Sequence, residues 1–394
     1  SGLPEPRTAR RGRLDRVHFV KRVLHFQADR IEMVLASHSV PARVTGGIVT
    51  PRLVRYHLTT PLGVKVRQVA SLSEEIALSL GAPSCRVHRH EGQVEVEVPR
   101  AKGKVVPLLP LCQRLAARGR DTIPAHTAVL GLDQEGVPLL VRLPSPNVAH
   151  VLIAGTTGSG KTALARTVVT SLALNNSQRS LQLVLIDPKG RGFLPFEGLP
   201  HLLVPVVTRI DEALPLLQRL VAEMERRDAE GRSEPRLAVV LDELADLVQV
   251  GGREMEAVLT RLTQRGRQAG IHLVACTQKP TAAVIGGLVK SNFPVRIVGS
   301  VASPEDAKVA TGIGGTGAER LLGQGDFLVV AKGQVTRMQA AYAGTGVVRE
   351  LVGRLAAGSK PLLLAATGTD GRRNGSSSLS HRLATLGERL RLVK

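Results

Sequence analysis

The chain contains no tryptophan and only eight aromatic residues, two Tyr and six Phe. A surface that stacks unpaired bases needs a series of such rings, so recognition of single strands by stacking is poorly supplied. Cysteine is equally scarce. Cys85, Cys112 and Cys276 stand far apart and match neither a zinc nor a redox spacing. They read as free buried thiols in a reducing compartment, with no metal site beyond Mg²⁺. No apolar run is long enough to cross a bilayer and no secretory signal is present, so the expectation is a soluble, cytoplasmic chain. It starts Ser-Gly without Met, as a trimmed chain does. Acidic residues are the minority charge, 33 Asp+Glu against 53 Lys+Arg, for a net +20. That excess favours a polyanionic partner, nucleic acid or an anionic membrane surface, over a merely arginine-rich composition. With few rings available, contact with the backbone of a duplex fits best.

What the chain does have is an apolar strand running straight into a glycine-rich turn, Val151-Leu-Ile-Ala-Gly-Thr-Thr-Gly-Ser-Gly-Lys-Thr162. Gly-x-x-x-x-Gly-Lys-Thr in this position is a phosphate cradle. Gly155, Gly158 and Gly160 allow positive φ, so that the amides of Thr156, Thr157, Ser159 and their neighbours turn inward, and a helix beginning near Ala163 presents its positive end. Lys161 is then the ligand of the β- and γ-phosphates of ATP, and Thr162 a ligand of Mg²⁺. The competing reading is a β-to-α turn that binds nothing; the buried strand before and the helical pattern Ala163–Leu174 after argue against it.

A second buried stretch, Leu237-Ala-Val-Val-Leu-Asp-Glu243, ends in two carboxylates. Taken alone, two acids at a strand end are helix caps. Beside a P-loop they read as a Walker B strand, with Asp242 holding Mg²⁺ through water and Glu243 orienting and deprotonating the attacking water.

At 394 residues the chain has room for two or three domains. Residues 1–22, rich in Arg with Pro4 and Pro6, predict a disordered basic arm. Residues 23–106 predict a small α+β domain: a helix Ala28–His38, a strand about Arg52–Leu58, a helix Ser71–Leu80 capped by Ser71 or Ser73 and ended by Gly81, and a strand Gln93–Pro99. A linker at 107–127 holds a helix Leu108–Asp121. The core, 128–346, opens with a hairpin Ala128–Leu143. It then alternates β and α through Leu181–Asp187, Ile210–Glu230, the acidic strand, Met255–Ala269 and Ile271–Cys276, an α/β fold with a mostly parallel sheet. Residues 347–394 predict a helical piece, a Gly/Ser-rich linker at Gly368–Ser378 and a short basic helix from Ser380.

With these elements placed, the chain resembles the motor of FtsK/SpoIIIE-type DNA translocases, within the FtsK–HerA group of P-loop ATPases. The matching segments are His150–Thr162, Leu185-Ile-Asp-Pro-Lys189, Glu197–Leu203, Glu223-Met-Glu-Arg-Arg227, Leu241–Leu247, Ala269–Val274, Thr277-Gln278 and Gly323-Gln-Gly-Asp326. The first domain resembles the family's alpha domain through Thr60–Val66, Ser71–Leu80 and Val94–Pro99. The resemblance implies a RecA-like core and a hexameric ring that threads double-stranded DNA and hydrolyses ATP at subunit interfaces. It implies that Thr277 and Gln278 sense the γ-phosphate and that Arg267, on the helix before Gly270, is an arginine finger for the neighbouring subunit. A solvated basic face shared with Arg261 and Arg265 is the alternative for that arginine. Lys189 belongs near the site without an assigned role. Lys279, Lys290 and Lys308 occupy positions where the family carries pore-facing basic residues, suited to phosphate without reading bases.

Departures from the family pattern are also visible. The stretch between Arg227 and Arg236 is far shorter than the insertion of many chromosome-segregation members, and Pro304 stands where a basic residue is common. The tail after Gly368 is too short for the family's winged-helix gamma domain. The expectation is an ATP-driven motor on duplex DNA, for chromosome segregation or plasmid transfer. Two rivals remain at this stage: a protein-export motor of the type VII secretion kind, and a nucleotide-switched DNA clamp.

Overall fold

The computed structural model describes residues 23–90, 92–100, 105–119, 122–278, 292–358 and 391–393. The expected basic arm, Lys279, Lys290 and the Gly/Ser-rich linker lie outside the described residues. Two compact units are present, one to Lys104 and one from Val105.

The first unit is a helix α1 over residues 23–37, a four-stranded antiparallel sheet and two short helices. Its strands are β1 (Arg43–Val49), β2 (Leu53–Thr59), β3 (Arg86–His90) and β4 (Gln93–Pro99), in the order β1-β2-β4-β3. Alternation puts Val54, Tyr56 and Leu58 of β2 and Val94, Val96 and Val98 of β4 into one apolar core with Ile31 and Leu35 of α1. Strand β1 is hidden in the sequence because Gly46-Gly47 disfavours a strand. Gly47 is required there, since a Cβ would run into the Arg55 carbonyl. The expected serine cap is not formed. A short helix α2 (Val66–Ala70) precedes α3 (Ser73–Leu80), and Leu72 is the residue at the cap position. Ser71 and Ser73 instead donate backward to the Gln68 and Ala70 carbonyls, at 2.9 and 2.6 Å. Gly81 ends α3 in the left-handed region, as expected.

In the second unit, β5 (Val106–Pro107) pairs with the far strand β14 (Gln334–Tyr342), which ties Val106 to this unit instead of the first. Helix α4 (Leu108–Ala116) is shorter than expected. The hairpin is β6 (Thr127–Asp133) with β7 (Pro138–Arg142). Then come β8 (Val151–Ala154), α5 (Lys161–Asn175), β9 (Leu181–Ile186), α6 (Ile210–Ala229), β10 (Arg236–Leu241), α7 (Leu244–Arg265), β11 (Ile271–Thr277), β12 (Val295–Val298) and β13 (Asp326–Ala331). The sheet is parallel in its centre, β9-β10-β11-β8-β12, and antiparallel from β12 through β13, β14 and β6 to β7. The antiparallel half exists because β13 and β14 are joined by a two-residue turn, whereas parallel strands need a crossover. Helix α5 packs into a core on one face, and α6 and α7 into a second core on the other. At the chain's end Arg391–Val393 is a strand, β15, parallel to β7, so the expected basic helix does not reach the terminus.

Helix α7 is two helices joined at Gly252, whose φ of 59° and ψ of −149° are non-helical. It closes at Arg265, four residues earlier than the apolar pattern predicts. At Gly266 a Cβ would collide with the Leu262 carbonyl, and Ile271 N returns to Gly266 O at 2.7 Å to start β11.

Candidate nucleotide-hydrolysing site

Strand β8, fully buried between β11 and β12, delivers the chain into the turn at the carboxyl edge of the parallel strands. Gly155, Gly158 and Gly160 have φ of 147°, 84° and 101°, the region that only glycine enters freely. Ser159 donates to the Thr156 carbonyl through its amide (3.2 Å) and its hydroxyl (2.7 Å), which curls the turn back on itself. The amides of Thr157, Gly158 and Gly160 donate to no group among the described residues. Together with the open first-turn amides of α5, where Lys161, Thr162 and Ala163 lie, they form a concave set of donors for an anion. Lys161 Nζ donates to Thr156 O at 2.9 Å, so the lysine is seated inside the loop. Burial pushes its pKa below the ordinary lysine value, a loss that Cys276, Glu243 and Asp242 partly offset.

The outer rim of the turn is held by a segment distant in sequence. Thr156 N donates to Ser300 O at 2.7 Å, and Gln324 N and Gly325 N donate to Gly158 O and Ser159 O at 2.9 and 2.8 Å. A Cβ at Gly160 would sit 2.9 Å from Gly325 N, so this approach demands glycine at 160. Asp326 braces the segment through a buried pair with Arg337 (2.9 and 2.8 Å) and accepts Leu322 N at 2.9 Å. The sequence offers Gly323–Asp326 as a family match but no reason for it. The reason is contact with the P-loop.

On the opposite side Thr162 Oγ1 lies 3.4 Å from both oxygens of Asp242. Asp187, at the end of β9, is fully buried. Its Oδ2 accepts the amides of Gly192 and Phe193 at 2.7 and 3.0 Å, and its Oδ1 has no partner among the described residues. A Cβ placed on Gly192 would be 3.5 Å from the Oδ2 atoms of both Asp187 and Asp242, so the two carboxylates line one small space. Burial, then Asp187 and Glu243, push the Asp242 carboxyl up to about 6. A hydroxyl and two buried carboxylates, one with an orphaned oxygen, are the hard donors that suit Mg²⁺. Asp187 was not identified from the sequence, where it stands only as an acid within Leu185–Lys189.

Glu243 does not cap α7, although it stands at the cap position, because its side chain makes no capping bond. Its backbone is left-handed, φ 70° and ψ 68°, a strain of about 1–3 kcal/mol for a non-glycine residue. The turn swings the carboxylate toward β11, where Oε1 accepts Thr277 Oγ1 at 3.3 Å and Gln278 N at 3.0 Å. Thr277 is fully buried, so it is no solvated strand end. Gln278 Oε1 in turn accepts the Thr157 hydroxyl at 2.9 Å, which links the end of β11 to the P-loop. Lys189 Nζ approaches Glu243 Oε2 at 3.5 Å and Asp246 Oδ2 at 2.9 Å. Open backbone amides, a seated lysine, a hydroxyl beside two buried carboxylates and a strained glutamate therefore meet at the ends of β8, β9, β10 and β11.

Arg267 is not on a helix. It stands in the turn after α7, exposed, and donates to Pro146 O at 3.2 Å. Among the described residues it makes no hydrogen bond or ion pair with Lys161, Asp242 or Glu243. Arg261 and Arg265 are bound across to α6, to Glu225 and, at 2.9 Å, to Asp228. Of the three expected pore lysines, Lys308 is described: it is exposed on the helix Pro304–Thr311.

Residues 14–100 match the FtsK alpha domain and residues 113–233 and 227–282 the FtsK/SpoIIIE family. The chain belongs to the FtsK/SpoIIIE family. A "DNA translocase FtsK" from Staphylococcus aureus is 36% identical over 356 residues, 82% of this chain and 44% of the relative. One from Halalkalibacterium halodurans is 33% identical over 363 residues, 84% of this chain and 45% of the relative. The chain thus spans less than half the length of these FtsK relatives. Among solved structures, the pCW3 conjugation coupling protein TcpA bound to ATPγS superposes with a TM-score of 0.56 at 21% identity, over 83% of this chain and 99% of that one. The cytoplasmic domain of the Thermomonospora curvata type VII secretion ATPase EccC gives 0.53 at 27% identity, over 63% of this chain and 33% of that one. These agree with the RecA-like P-loop core expected from the FtsK resemblance. No helix of the described residues is long and apolar enough to cross a membrane.

Proposed function

We propose that this chain is the motor portion of a double-stranded DNA translocase that hydrolyses Mg²⁺-ATP within a homo-oligomeric, hexameric ring, in the cytoplasm or on the cytoplasmic side of a septum. The observation that carries the reading is Glu243, a buried carboxylate held in strained backbone between the P-loop side and the sensor strand. A site that only bound nucleotide would have no use for that arrangement. Thr162, Asp242 and Asp187 would hold Mg²⁺, which would neutralise phosphate charge when bound. Lys161 leaves the Thr156 carbonyl for phosphate oxygen, and the open amides of Thr157, Gly158 and Gly160 complete the cradle. Glu243 orients the attacking water and accepts its proton at a carboxylate oxygen. Arg267 reaches the neighbouring subunit's γ-phosphate, in keeping with its exposure in the turn after α7.

DNA as cargo is supported by the net charge of +20, the alpha-domain match and the relatives' name. Likeness to EccC favours a second reading in which the cargo is polypeptide. ATPase measurements with duplex DNA, single-stranded DNA and unfolded polypeptide separate them. Stimulation by duplex is expected; a flat response to duplex, or stimulation by polypeptide alone, would overturn the DNA reading.

A further inference from the structure

Strand β9 ends in a tight turn that sends two side chains in different directions. Asp187 goes to the cation side, and Lys189, two residues on, goes to Glu243. The turn is rigid. Gly190 has φ of 61° and returns its amide to Asp187 O at 2.9 Å, while Asp187 is itself fixed by the Gly192 and Phe193 amides and Phe193 is fully buried. Lys189 is therefore presented from a fixed base, with its side chain 39% exposed.

Both oxygens of Glu243 are engaged, from opposite sides. Oε1 is held by β11 through Thr277 Oγ1 and Gln278 N. Oε2 faces the Lys189 ammonium at 3.5 Å. The ammonium is oriented by a shorter contact, 2.9 Å, to Asp246 Oδ2 in the first turn of α7. A carboxylate gripped on one oxygen only can still rotate about its end bond; a cation on the other oxygen removes that freedom. We propose that Lys189 is a positioning residue for Glu243, and that Asp246 holds Lys189 in place. Lys189 touches neither nucleotide nor water in this role. It sets the plane of the carboxylate that does, and so favours the orientation from which Glu243 accepts the water's proton. The assignment rests on the hydrolytic reading of Glu243 above.

The test compares Lys189→Met, Lys189→Arg and Asp246→Asn in the full chain with duplex DNA present, alongside Glu243→Gln. Lys189→Met is expected to lower kcat roughly 10- to 100-fold, less than the about 10²–10⁴ that a positioned acid–base group contributes, because Glu243 itself remains. KM for ATP, affinity for a fluorescent ATP analogue and the thermal midpoint should stay at wild-type values. Lys189→Arg, which keeps the cation, should restore most of kcat, and Asp246→Asn should give a smaller loss than Lys189→Met. In the Glu243→Gln background, Lys189→Met should add no further loss, because the group it positions is gone. A wild-type kcat in Lys189→Met, or a parallel loss of nucleotide affinity, would overturn the assignment. If Glu243→Gln turns over like wild type, the hydrolytic reading fails and this one with it. If Glu243→Gln is inactive and Lys189→Met is not, only the role of Lys189 fails.

Discussion

Asp242→Asn should make the metal-free protein more stable at neutral pH while destroying its activity. The wild-type carboxyl is buried beside Asp187 and Glu243, and these surroundings raise it from 3.8 to about 6. That difference makes the ionised form about 3 kcal/mol costlier in the folded state than in the unfolded chain. Because the folded value is the higher one, the stability is intact below pH 3.8. It is lost progressively as pH rises toward 6, and above that the full penalty is carried. Asn keeps the shape of the side chain and can still accept the Thr162 hydroxyl, but it carries no charge. The advantage of Asp242→Asn should therefore be largest above pH 6, on the order of 10 °C at most in thermal midpoint, and should vanish near pH 4. Thermal unfolding in chelator from about pH 4 to about pH 8 spans this window and reads the effect directly. Adding Mg²⁺-ATP should reverse the ranking, since the ligand stabilises only a protein that binds it. An Asp242→Asn protein less stable than wild type at pH 7.5 without metal, or an advantage independent of pH, would refute the electrostatic account.

Lys161→Ala should abolish nucleotide binding, and Glu243→Gln should retain bound ATP while turnover stops; binding of a fluorescent analogue and phosphate release separate the two. Arg267→Ala should leave ATP affinity intact and slow hydrolysis by about 10³ if the finger acts in trans. Mixed assemblies of Lys161→Ala and Arg267→Ala chains should then recover turnover, and verified mixtures without rescue would count against it. Neutralising Lys279, Lys290 and Lys308 together should flatten the log–log salt dependence of duplex binding by roughly 0.9 per true phosphate contact and uncouple the ATPase from DNA. A sharp sequence preference, or an unchanged slope, would contradict the role assigned to these lysines.

The P-loop and the acidic strand are legible in the sequence because their chemistry is local. Glycine at positions 155, 158 and 160 answers a backbone demand made within six residues, and the φ values at those positions are the ones the spacing calls for. The parallel centre was likewise readable, from apolar runs short enough for strands and alternating with helical periods. Where neighbouring elements compete for the same residues, the local signal misleads. Ser71 and Ser73 look like caps until α2 occupies the turn before them, and the apolar period of α7 runs on past the point where Gly266 must let the chain turn back into β11. The rest of the site was decided by the order of strands in the sheet. Placing β9 beside β10, and β11 between β10 and β8, brings Asp187 and Lys189 to Asp242 and Glu243 across more than fifty residues of chain. The same order lets Gln324 and Gly325 close on Gly158 and Ser159. No spacing in the sequence encodes these meetings, because each depends on which strand edges pair, and that is settled by burial of both faces of the sheet at once.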